Sequence, residues 1–105
     1  MSGGQSDGRP LTPSHPHCNI VEKTPLNSPK ANVVASLKVG SILEVALTST
    51  GKSLVAKVVG GEAIAGSLTP MSLVDIVDCM ARGRHYVAVV TQISGGFCEV
   101  EIRPK

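Results

Sequence analysis

Apolar and polar residues alternate along 42–48 and again along 54–59, the mark of two half-buried strands. Leu43, Val45 and Leu47 share one face of the first; Leu54, Ala56 and Val58 share one face of the second. A tight turn at Thr50 and Gly51 pairs Leu47 with Leu54, Val45 with Ala56 and Leu43 with Val58, so the apolar faces coincide. Gly60, Gly61 and Glu62 turn the chain again. A three-residue loop with a glycine bulge there sets Ile64 opposite Val58 and Leu68 opposite Leu54, keeping every apolar group on one side.

The period then changes. Thr69 and Pro70 read as a helix start, with the hydroxyl capping free amides and the proline fitting the first turn. Leu73, Ile76, Val77 and Met80 follow at helical spacing and make one core-facing stripe. Asp75, Asp78 and Arg82 lie outside it, Asp78 and Arg82 as a pair one turn apart, and Gly83 ends the helix. Residues 85–93 and 97–103 flank Gly95 and Gly96 as a hairpin that pairs Ile93 with Cys98, Thr91 with Val100 and Val89 with Ile102. The opposite face carries Ala88, Val90 and Gln92 against Glu99, Glu101 and Arg103. The order is β-β-β-α-β-β, with room for one more short strand at 33–37. This predicts a mainly β (α+β) fold, a small curled sheet or half-open barrel plugged by one helix.

Upstream the pattern fails. Five of the seven prolines precede residue 30, among glycine, serine and threonine, with no apolar period. Such a segment cannot bury enough surface to offset its own ordering entropy. We therefore divide the chain into a disordered tail, 1–32, and a small β-rich domain, 33–105. Within the tail, Cys18, Asn19, Ile20 and Val21 are a lesser candidate for an extended contact with the domain. A folded part of about seventy residues is near the lower limit for one unstapled core and leaves little room for a buried active site.

Composition narrows the partners. The apolar residues are aliphatic, with one Tyr, one Phe and no Trp, so stacking platforms for bases are scarce. Net charge is +2, spread over both segments, and does not by itself demand nucleic acid or a membrane. Three cysteines, at 18, 79 and 98, do not read as a disulfide framework. The first ten residues lack an apolar signal core, and no apolar run approaches the ~20 residues that span a bilayer. A reduced, soluble, cytoplasmic setting without membrane contact is expected.

The second half carries a resemblance. Ala63, Ile64, Ala65, Gly66, Ser67 and Leu68, a short helix ending at Gly83, then Tyr86 to Val90 running into Ile93, Ser94, Gly95 and Gly96, are similar to the HIRAN domain over residues 54–103. Ser67 stands where that family has a tyrosine. The resemblance implies a barrel related to oligonucleotide-binding folds and recognition of DNA ends.

The strand register nominates one site. It places Arg103 opposite Ala88 and Lys105 near Tyr86, with Arg82 and Arg84 just ahead of the strand. Arg82, Arg84, His85, Tyr86, Arg103 and Lys105 then share one end, where cations hold phosphate and the ring stacks a base. His15, His17 and Cys18 offer at most three metal ligands and no second cluster, so no metal site is expected. Cys79 and His85 have Asp78 as a nominal orienting group, but Cys79 flanks the apolar stripe and reads as packing; Asp75 and Asp78 share a helix face rather than a cleft, and the Gly-Gly pairs read as turns. The expectation is a small non-catalytic module without cofactor, binding DNA or RNA. The alternative is a protein-interaction or homodimerising domain using an exposed β edge or a face of Val55, Val59, Ala88 and Val90.

Overall fold

A computed structural model describes residues 18–105; expectations that fall on residues 1–17 lie outside the described residues. The elements are β1 (Glu22–Asn27), α1 (Ala31–Val34), β2 (Ile42–Leu47), β3 (Leu54–Val58), β4 (Ile64–Leu68), α2 (Leu73–Ala81), β5 (Tyr86–Ser94) and β6 (Phe97–Pro104). The fold is mainly β. The strands close an antiparallel barrel in the order β1-β4-β3-β2-β5-β6, with β6 returning to β1.

The barrel closes, rather than staying half open, because of a strand inside the segment expected to be tail. Glu22, Lys23, Thr24 and Pro25 pair with Ile102, Glu101, Val100 and Glu99 of β6, and Leu26 and Asn27 with Leu68 and Ser67 of β4. Thr24 and Leu26 point inward and are buried. Pro25 sits where β1 hands over from β6 to β4, a place where a missing donor is tolerated. The folded unit therefore starts before residue 33. The strand envisaged at 33–37 is absent. Ser28, at φ 48°, and Pro29 turn the chain directly after β1. Val33 and Val34 then bond back to the Lys30 carbonyl at 3.0 and 2.9 Å, which folds Val34 into the core as one helical turn.

The β2–β3 hairpin has the expected register throughout, from Leu43 opposite Val58 to Leu47 opposite Leu54. The next pairing is as expected only at its far end, with Leu54 opposite Leu68. A bulge beside Ala56 and Lys57 sets Ile64 opposite Lys57 on the outside and turns Ala65 inward. The last hairpin has the expected Gly95–Gly96 loop and the Ile93–Cys98 pair, but a bulge at Thr91 inverts the phase beyond it. Val90 faces Val100 and Ala88 faces Ile102, and all four are buried. Thr91 is held out of the ladder by its hydroxyl, 3.1 Å from the Glu99 carbonyl and 3.0 Å from its carboxylate.

Helix α2 carries the expected stripe, with Ile76 buried and Leu73, Val77 and Met80 packed beside it. Its N-terminus is capped differently. The Glu22 carboxylate of β1 accepts from the Met71 amide and, at 3.2 Å, from the Ser72 amide, while Thr69 instead accepts from Asn27 at 2.5 Å. The carboxylate also suits the positive end of the helix dipole. Cys79, on the same stripe, forms a disulfide with Cys18, 61 residues away, leaving Cys98 free and buried. The odd cysteine count concealed this bond, and with it goes the argument for a reduced setting. Among the described residues no helix is long and apolar enough to cross a membrane.

One glycine is required by packing. A Cβ on Gly66 would lie 3.0 Å from the Asn27 carbonyl oxygen and 3.1 Å from the Leu26 Cβ, where β1 crosses β4. Gly66→Ala should destabilise the barrel by about 1–3 kcal/mol, read as a lowered urea midpoint; an unchanged midpoint would contradict this packing.

Candidate functional site

The cationic end is built by a helix stop and a strand end. At Gly83, φ 96°, the Arg84 amide bonds to the Cys79 carbonyl and the Gly83 amide to the Met80 carbonyl, each at 3.0 Å. This is a Schellman stop, which needs a left-handed residue. It leaves Arg82, Arg84 and His85 exposed ahead of β5. The β5–β6 ladder runs on past Tyr86 and Pro104, and the Lys105 amide donates to the His85 carbonyl at 2.9 Å. Lys105 is thus fixed beside His85. Arg103 lies opposite Val87, one residue from the expected Ala88, because of the bulge at Thr91.

The expected residues do meet at one end, but they differ in character. Arg82 pairs with Asp78 at 3.2 Å, as the helical spacing implied, and Arg103 pairs with Glu101 at 2.7 Å. Both pairs are on the surface, where they contribute little stability and yield to a competing anion. Among the described residues Arg84 donates to the Asn19 side-chain oxygen, at 3.5 Å. Neither Arg84 nor Lys105 has a carboxylate within ion-pair distance among the described residues.

Tyr86 is not a stacking platform. Its ring is 1% exposed inside the barrel, and its hydroxyl donates to the Cys18 carbonyl. Burial pushes the phenol above its ordinary value, with nearby Arg84 pulling the other way. The exposed aromatic is Phe97, at the far end of β6. Cys79 cannot act as a nucleophile beside His85 while it is bonded to Cys18. Burial raises the thiol of Cys98, which keeps it protonated and inert. His15 and His17 lie outside the described residues, and Cys18 is committed to the disulfide.

Two features escaped the sequence reading. Asn19 and the Cys18 carbonyl belong to the cationic end, brought there by a bond that residue spacing does not reveal. At the opposite end, a cavity of about 370 Å³ opens between α1 and the β5–β6 turn, lined by Pro29, Val34, Leu37, Ile93, Gly95 and Gly96 among others. Only the Gly-Gly turn was visible beforehand. The outer face also differs from expectation, since Ala88 and Val90 are buried. Ile42, 56% exposed, and its partner Val89 replace them.

Fold and site together define a small closed antiparallel β-barrel with a cation-bearing end and an apolar cavity at the other. No family model, no curated protein and no solved structure matches the chain.

Both raised groups give stability a definite pH dependence. Below the ordinary values of 9.0 for the thiol and 10.0 for the phenol, both are protonated whether the chain is folded or not. Above those values the unfolded chain ionises first, so stability falls as pH rises. Urea unfolding at about pH 8 and about pH 10.5 should show the lower midpoint at the higher pH. Tyr86→Phe should flatten the part of the decline above the phenol value.

Proposed function

We propose that this barrel is a small non-catalytic binding module that takes the phosphate backbone of DNA or RNA on its Arg84–His85–Lys105 end. The observation that carries the reading is the pair of exposed cations, Arg84 and Lys105, without carboxylate partners among the described residues and held together through the Lys105–His85 backbone bond. Arg82 and Arg103 add charge once their surface carboxylates give way. With Tyr86 inside the barrel, no base stacks at this end, so contact is with phosphate and insensitive to sequence. The HIRAN resemblance supports the same reading, since it implies a nucleic-acid-binding barrel.

Binding of this kind is weak and salt-dependent. Two to three phosphate contacts give a slope of log affinity against log salt of about −2 to −3 on duplex DNA. Fluorescence anisotropy with a labelled oligonucleotide should show it, and Arg84→Ala with Lys105→Ala should lower the affinity and reduce the slope by about 2. Unchanged affinity and slope in that double variant would remove the site.

A second reading, self-association or a protein partner on the outer face, is favoured by the exposure of Ile42 beside Val89. It uses a face rather than an edge, because barrel closure leaves no unpaired strand among β1–β6. Sedimentation that depends on protein concentration and not on salt would support it over the first.

A further inference from the structure

Residues 18–21 lie ahead of β1, outside its ladder. Asn19 and Val21 are exposed, and Cys18 and Ile20 are half-buried. Among the described residues, Cys18 and Ile20 pack on the core, the Tyr86 hydroxyl donates to the Cys18 carbonyl, and Arg84 reaches Asn19. Two half-buried side chains and two such bonds offset only part of the entropy of ordering four backbone residues. What fixes the segment is the Cys18–Cys79 bond. From Glu22 onward the situation reverses, because β1 is paired on both sides and buries Thr24 and Leu26.

We propose that residues 18–21 form a redox-operated strap. Two-electron reduction of Cys18–Cys79 frees the strap from the Tyr86 and Arg84 end while the barrel stays closed. The reductant is a dithiol. Cys79 is fully buried and Cys18 half-exposed, so the incoming thiolate attacks the Cys18 sulfur and Cys79 leaves as a thiolate that takes a proton. The second thiol of the reductant then closes its own disulfide and releases Cys18 as the second protein thiol. Two electrons and two protons pass to the protein, and the dithiol is oxidised. With the strap free, the Tyr86 hydroxyl loses its carbonyl acceptor and the Arg84 guanidinium its Asn19 contact, which opens a recess bearing a phenol, a thiol and a cation. The strap itself does not depend on what binds the cationic end.

The test is backbone nitrogen-15 relaxation at residues 19–21 together with amide hydrogen exchange in the barrel, on the full chain before and after dithiothreitol, with Cys18→Ser as a permanently open control. The expected result is a fall of the order parameters at Asn19, Ile20 and Val21 from about 0.85 to below about 0.6, with Leu26, Val100 and Ile102 still protected from exchange, and the same pattern in the variant without reductant. Unchanged order parameters at Asn19–Val21 would overturn the proposal by showing a strap that holds without the bond. Loss of protection across β1 and β6 together would overturn it differently, by making the disulfide a staple of the whole barrel. Anisotropy titration of the oligonucleotide in both redox states separates the two ideas. A strap that opens with no binding in either state removes the nucleic-acid reading alone.

Discussion

The pairing of β1 with both β4 and β6 is the constraint on which the rest of the structure depends. Those two strands do not pair with each other, so without Glu22–Asn27 each presents an open edge. Open edges invite pairing with other chains, and a core of this size has little surplus stability to keep them apart. The same six residues do more than close the ladder. Glu22 caps α2, Asn27 binds Thr69, and Leu26 presses on Gly66 at the strand crossing. Helix α2 is therefore oriented by the strand that closes the barrel.

That arrangement gives the two ends different chemistry. At one, α2 stops at Gly83 and delivers three basic side chains next to the end of β6, under a disulfide-held segment. At the other, α1 and the Gly-Gly turn leave an apolar cavity. The interior is aliphatic and tight, and it includes the tyrosine, so the cationic end presents charge and no ring face.

The sequence disclosed local features better than long-range ones. The β2–β3 register, the α2 stripe with its Gly83 stop and the Gly95–Gly96 turn each follow from residues close in the chain. The phase of β5 did not, because Tyr86, Val87, Ala88, Val89 and Val90 are all apolar enough to face inward, and only the bulge at Thr91 decides between the two phases. Strand β1 was hidden by Pro25 and by its short apolar content, since its partners lie some forty to eighty residues away. The basic side chains nominated from the register lie at the Gly83 stop and at the end of the β5–β6 ladder. The one aromatic nominated with them was misread, because the outward assignment of Tyr86 depended on that same undecided phase. The Cys18–Cys79 bond left no signal in spacing at all.

Truncation tests the central claim most directly. A chain starting at Cys18 keeps β1, whereas one starting at Val33 loses it together with the disulfide and the Glu22 cap. The amide spectra of the two, compared with that of the full chain, decide the matter. The account predicts that the first retains the dispersed spectrum of a closed barrel and that the second collapses to a poorly dispersed or aggregating one. A well-dispersed, cooperatively unfolding domain from residues 33–105 alone would contradict it, and would return β1 to the status of a tail laid against a barrel that closes without it.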